Sequence, residues 1–257
     1  MWKKISDADY FGSENLNFSK LKLLLRSPRS FLLTPDLLVT PAMKLGTLGH
    51  LFCLPGQVPE NIAVEPNFDR RKKGEKEASE KFTAENIGKI ILSENEYNWS
   101  ICVQEAVKKN PITSRLFKNG ISERAGFATI KDVPVKIKPD FLKSNGVMVD
   151  LKFTTDATEA AFMRKIFAFS YHMQAAFYFD VANLIQPGSA KAFVWAVVET
   201  SFPHSIGVYQ ASENMLQFGR ELYQFCLLSY SDSLINGFLG DLCQNIQILE
   251  VPPWWKK

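Results

Sequence analysis

An α/β fold is predicted for this chain, one domain in which a mixed β-sheet is flanked by helices. Three observations lead there. Apolar residues recur at helical spacing in the N-terminal part, switch to short alternating stretches, and then return to helical spacing. The order is helices, three strands, helix, strand, strand, helix, which suits a sheet covered by helices. The length of 257 residues holds one well-packed domain, or one with a small appended subdomain. Without an internal repeat, low-complexity tract or long linker, residues 1–257 read as a single domain, with a helical part (1–118), a core (119–235) and a C-terminal tail (236–257).

Asn17 to Leu33 carries Leu21, Leu24 and Leu25 at helical spacing, with a break near Pro28. Lys44 to Leu54 is a second helix, ended by Pro55-Gly56. Asp69 to Asn86 is highly charged and reads as an exposed helix or a mobile loop. Ser93 followed by Glu96 fits a capping box that opens a helix to about Lys109. Ile121 to Ile130, Val133 to Leu142 and Val147 to Phe153 are β-like, separated by Lys131-Asp132 and by the hairpin signal Ser144-Asn145-Gly146. Ala157 to Ile185 is one or two helices. Ala192 to Thr200 is apolar enough for a strand buried on both faces, Ser205 to Gln210 is its partner, and Ser212 to Leu228 is an amphipathic helix.

Hydrophobic content of 46%, charged content of 22% and a net charge of +3 are those of an ordinary globular protein and do not announce a nucleic-acid binder. Lys20, Lys22, Arg26 and Arg29 cluster near the first helix, and Arg70 to Lys73 form a basic run; both read as solvated faces. The N-terminus lacks the apolar core of a signal peptide, and the run Ala192 to Val198 is too short to cross a bilayer. Cys53, Cys102, Cys226 and Cys243 are scattered, with no CxxC pair, and read as reduced, mostly buried thiols. A cytoplasmic protein is expected, with no membrane partner.

Chemistry concentrates at Pro139-Asp140 and Asp150-Leu151-Lys152. Asp150 and Lys152 are two apart, so they share one face of a strand. Two carboxylates and an ammonium at one spot are expensive to desolvate unless a divalent cation joins them; Mg²⁺ or Mn²⁺ suits such oxygen ligands. A surface hairpin with a salt bridge is the plain alternative. Glu123, in the preceding expected strand, brings a third carboxylate or is a surface charge. His50, on the helix with Gly46 and Gly49, is a core histidine or a ligand to the cation, and the two glycines allow close approach to another backbone. Tyr171, Gln174 and Tyr178 share a helix face and can hydrogen-bond phosphate, or belong to a half-buried helix. Lys136 and Lys138 share a face with Asp140 and either hold an incoming phosphate or form a charged edge.

Taken in order, Leu45-Gly46-Thr47-x-x-His50, Lys138-Pro139-Asp140, Asp150-Leu151-Lys152 and Tyr171-His172-Met173-Gln174-x-x-x-Tyr178 resemble the RecE-type, exonuclease VIII-like nucleases of the PD-(D/E)XK superfamily. The resemblance also takes in Ser19 to Pro28 and Pro66 to Arg71 and reaches Pro253-Trp254, nearly the whole chain. It is to the nuclease domain of RecE, whose long N-terminal extension has no counterpart here. It implies a PD-(D/E)XK core, with His50, Asp140, Asp150 and the Leu151 carbonyl as metal ligands. Lys152 is then the catalytic lysine, Glu123 a further acid, and Gln174 and Tyr178 the QxxxY helix. Arg70, Arg71, Lys136, Lys138 and Tyr171 are expected on DNA. Phe153 departs from the pattern, since related sequences often carry Thr there.

The resemblance further implies Mg²⁺, with Mn²⁺ accepted, and 5′→3′ digestion of linear double-stranded DNA to 3′ overhangs for phage-type recombination. It implies a ring-like homo-oligomer and a partner that anneals single strands. Two rival readings remain: a RecB-like or Cas4-like nuclease acting on single strands, often with a cysteine-bound iron–sulfur cluster, and a non-catalytic DNA-end-binding accessory protein.

Overall fold

The computed structural model describes residues 1–35, 40–57, 61–69, 71–243 and 245–251. Ser6 and Asn17 cap two short helices, α1 (Asp7–Gly12) and α2 (Phe18–Leu21), each side chain accepting from a first-turn amide. A 3-10 turn (Lys22–Leu25) and α3 (Pro28–Leu33) follow. The helical stretch expected over Asn17 to Leu33 is three short pieces, with the expected break at Pro28 and a further change to a 3-10 turn after Leu21. Pro28 lacks the amide hydrogen an interior position needs, and Ser27 caps a fresh start ahead of it.

Next come α4 (Pro41–Cys53), β1 (Ile62–Glu65), α5 (Lys73–Glu85), β2 (Ile90–Ser93), α6 (Glu94–Lys109) and α7 (Thr113–Leu116). The capping box at Ser93 closes in both directions with Glu96. The charged stretch is an exposed helix, α5, laced by Lys76–Glu80 and Lys81–Glu85 pairs. The parallel pairing of β1 with β2 had no signal in the sequence.

Two of the three expected central strands are split. Ile121 to Ile130 becomes β3 (Gly120–Ser122) and β4 (Gly126–Ile130); Val133 to Leu142 becomes β5 (Val133–Ile137) and β6 (Phe141–Lys143). Glu123 breaks the first with a left-handed backbone (φ 45°). Lys138-Pro139-Asp140 breaks the second, since proline has no amide to donate to a ladder. The β4–β5 hairpin forms its own two-stranded sheet.

β7 (Val147–Thr154) leads to α8 (Glu159–Ala168), α9 (Tyr171–Ile185), β8 (Ala192–Glu199), β9 (Ile206–Gln210) and α10 (Glu213–Asn236). The main sheet runs β3-β6-β7-β8-β9, antiparallel except for β7 beside β8, so the expected mixed sheet is observed. Met148, Phe193, Trp195 and Val197 face α9 and α10; Val149, Leu151, Ala196 and Val198 face the end of α4 and Val103 and Val107 of α6. β8 is buried on both faces, as its composition predicts. Gly219 lets α10 lie against α9, because a Cβ there would overlap the His172 carbonyl. Cys53 and Cys226 are buried but Cys102 and Cys243 are exposed, so only half of the thiols fit the buried reading.

Candidate active site

The β6–β7 hairpin builds the site. Gly146 takes a left-handed conformation (φ 91°) in the Ser144-Asn145-Gly146 turn, and the ladder pairs Leu142 with Met148 and Phe141 with Val149. One step further along that register, Asp140 comes opposite Asp150. Along β7, Asp150 and Lys152 point to the α9 face, whereas Leu151 points to the α4 face.

His50, on α4, reaches across to this hairpin. Its Nε2–H donates to the Leu151 carbonyl oxygen at 2.7 Å and lies 3.3 Å from Asp140 Oδ2. That same Asp140 oxygen accepts the Leu151 amide at 2.7 Å. Asp140, His50 and the Leu151 backbone therefore form one closed cluster. Beside it, Lys152 Nζ sits 2.5 Å from Asp150 Oδ2 and 4.8 Å from the centre of the Tyr171 ring.

Each charge is set by its neighbours. Burial opposes the charge on His50, but the Asp140 carboxylate and the Leu151 carbonyl outweigh it and raise the imidazole to about 9. Burial likewise opposes ionisation of Asp140, yet His50 and Lys152 hold it below the usual carboxylate range. Asp150 goes the other way: burial, with Asp140 nearby, lifts it to about 6 against the pull of Lys152. Lys152 is disfavoured by burial, but Asp150 and Asp140 raise it, so it is a firmly held ammonium. Burial and the two carboxylates push the Tyr178 phenol up to about 12, while Gln174 hydrogen-bonds it; it stays protonated at neutral pH.

The donor set fits a divalent cation. His50 nitrogen, Asp140 and the Leu151 carbonyl oxygen already converge. Asp150 Oδ2 is buried against the Lys152 ammonium, 2.5 Å away. The ammonium offsets the cost of burying that carboxylate, and Asp140 lies near enough to act on it electrostatically. Among the described residues no group of three His, Cys, Asp or Glu side chains is placed to hold a metal ion, so these residues have the donor chemistry without forming a ready-made cage.

Several expected residues stand elsewhere. Glu123 follows β3 instead of lying within a strand; its amide donates to the Asp140 carbonyl, and its carboxylate, 3.7 Å from Lys138, is raised chiefly by burial. Lys138 is held by Asp7 of α1 at 2.6 Å. Lys136 is buried, donating to the Tyr10 and Ser13 carbonyls over the Tyr10 ring, and so is unable to meet a phosphate. Arg71 is fully exposed beside Asp69, and Arg70 and Pro253-Trp254 lie outside the described residues.

The N-terminal segment is the part that sequence reasoning missed. Asp7 and Tyr10 line, with His50, Glu123, Lys138 and Tyr178, a cleft of about 340 Å³ beside the cluster. Lys22, read as part of a solvated face, packs its ammonium over the Phe18 ring, and burial and the charge of Lys152 lower its pKa. The helix cap at Ser6 was the available signal for α1; nothing local marks Lys22 out from Lys20.

Phe153 explains one of the two small residues on α4. Its ring packs on His50 and Trp99, and a Cβ at Gly49 would collide with it, whereas one at Gly46 would meet open space. Gly49 thus admits a ring beside the site, not a backbone. Gly49→Ala is expected to destabilise the fold by ~1–3 kcal/mol, the usual cost of overpacking, and Phe153→Ala in the same chain should recover part of it. Equal unfolding midpoints for Gly49→Ala and the parent in urea would overturn this packing account.

Residues 18–251 match the family described as a PDDEXK-like domain of unknown function (DUF3799). A crystal structure described as that of a "Putative exonuclease" from Eubacterium rectale superposes with a TM-score of 0.64 at 11% identity, covering 97% of this chain and 96% of its own. A second structure, that of SSO0001, aligns over 74% of this chain and 86% of its own at 14% identity, with a TM-score of 0.31, too low to carry an argument. No curated protein matches the chain.

Proposed function

This chain belongs to the PDDEXK-like domain family, and on that premise we propose that it is a divalent-metal-dependent exodeoxyribonuclease. The finer reading is a cytoplasmic enzyme that degrades linear double-stranded DNA 5′→3′, leaving 3′ overhangs for phage-type recombination. The observation that carries the nuclease reading is the convergence of His50, Asp140 and the Leu151 carbonyl beside the Asp150–Lys152 pair.

His50, Asp140, Asp150 and the Leu151 carbonyl would hold the cation, Mg²⁺ with Mn²⁺ accepted. When bound, it polarises the phosphoryl oxygen and lowers the pKa of a water. The chain's own groups do the rest. Lys152, kept charged by the two acids, neutralises and orients the phosphate; Tyr178, protonated and held by Gln174, donates to a phosphate oxygen. Glu123 stands behind His50 and Lys138 as a further acid.

Metal and proton compete for His50. In the metal-free protein the imidazole is charged below about pH 9, so a cation must displace its proton. Affinity for Mn²⁺ is therefore expected to climb as pH rises through neutrality and level off above about pH 9, with buffer-dependent heats in calorimetry. An affinity flat across that window would remove His50 from the ligand set.

The iron–sulfur form of the single-strand reading loses support, because Cys53 and Cys226 are buried in opposite layers of the core. A +3 chain has little electrostatic grip on DNA, which favours a closed ring, and the resemblance to RecE-type nucleases suggests a partner that anneals the exposed strand. Among the described residues no helix is long and apolar enough to cross a membrane. The test is linear duplex labelled at one end. The 5′ label should be released first, only with Mg²⁺ or Mn²⁺, by a species several times 29.1 kDa in light scattering. Failure to cleave linear DNA with either ion would retire the reading.

A further inference from the structure

Four stacked rings, anchored on buried Phe162, run to the surface beside Lys152. Tyr209 stacks on Phe162 (5.5 Å, 17°), Phe162 on Tyr171 (6.2 Å, 29°), and Tyr171 on Phe169 (5.6 Å, 28°). The inner end is rigid: Phe162 is 1% exposed, and the Tyr209 hydroxyl donates to the Ala157 carbonyl at 2.6 Å. The outer end is open, with Phe169 49% exposed. Phe169 is not on a loose loop. It ends α8, its amide donating to the Lys165 carbonyl, and Ser170 turns the chain directly into α9 with a left-handed backbone (φ 59°). A non-glycine residue in that conformation is uncommon and marks a corner held by its surroundings.

Tyr171 belongs to this stack and also carries the Lys152 ammonium over its ring. A flat group laid on Phe169 would therefore continue the stack one ring away from the candidate catalytic lysine. We infer that Phe169 is a stacking platform for an unpaired nucleobase of the DNA strand being cut, holding the neighbouring phosphodiester at the Lys152 end of the site. The inference rests on the nuclease reading above and deepens it. Every base has a π face, so the platform positions a strand end without selecting sequence. It also requires that base to leave its pair, which makes a frayed or single-stranded terminus the species that enters the site.

The experiment uses the full chain in metal-free buffer, where no cleavage occurs. The probe is a short duplex with a single-stranded overhang whose terminal base is 2-aminopurine, and its partner probe is abasic at that position. Wild type and Phe169→Trp should quench the fluorescence. Phe169→Ala should bind the 2-aminopurine probe roughly 5- to 150-fold more weakly, the range one base–aromatic stack spans, and should bind the abasic probe as wild type does. A purely structural role would weaken both probes alike. Equal titrations for wild type and Phe169→Ala, equal losses on both probes, or no quenching by wild type would each overturn the platform. Quenching without metal-dependent cleavage of linear DNA would instead retire the nuclease reading and leave the stacking site standing.

Discussion

Lys152→Ala is expected to cut turnover of linear DNA by at least ~10²-fold while the protein stays folded and still binds DNA ends. Lys152 holds no metal in the proposed site; it supplies a charge that Asp150 and Asp140 keep in place. Removing one partner of a buried ion pair commonly costs several kcal/mol because a naked charge remains. Here the cost is capped, since Asp150 already titrates at about 6 and can take up a proton instead. Folding should therefore survive the loss of Lys152 even where chemistry does not. Lys152→Arg keeps the positive charge and should lose less than Lys152→Ala if the lysine acts as an ammonium. Near-normal turnover by a folded Lys152→Ala protein would remove Lys152 from the mechanism.

The second large effect separates the two aspartates. Asp140→Ala and Asp150→Asn should each lose at least ~10²-fold in activity and weaken Mn²⁺ binding by at least ~10-fold, since even outer partners of metal ligands cost that much. Their metal-free stabilities should diverge. Asp140 accepts the Leu151 amide and faces His50, so Asp140→Ala leaves a buried donor unpaired, at a cost of ~1–3 kcal/mol. Asp150 is a disfavoured buried charge but also the partner of Lys152, so the two effects oppose each other and Asp150→Asn should cost less stability than Asp140→Ala when metal is absent. Ionisation of Asp150 above about pH 6 costs the folded state, and asparagine carries no such charge, which offsets part of the lost ion pair. Mn²⁺ affinity unchanged in Asp150→Asn would place the metal elsewhere.

What the sequence by itself determined is what local periodicity and turn chemistry can carry. The alternation along β7 puts Asp150 and Lys152 on one face, Ser144-Asn145-Gly146 closes the hairpin that brings Asp140 opposite, and Ser93 with Glu96 opens α6. The spacing of Gln174 and Tyr178 likewise suffices to place both on one face of α9. Those signals act over a few residues, through backbone geometry that the residue types themselves impose.

Only the tertiary structure decided which charges meet. Lys136 and Lys138 are indistinguishable in sequence, yet α1 buries the first among carbonyls and pairs the second with Asp7. His50 finds the Leu151 carbonyl from 101 positions away, and the fold brings Lys22 near enough to Lys152 for the two charges to oppose each other. Glu123 lies beside the site only because the strand expected there breaks at that residue. Desolvation and Coulomb energy depend on the atoms packed around a group, and those atoms come from segments the chain brings together only when it folds.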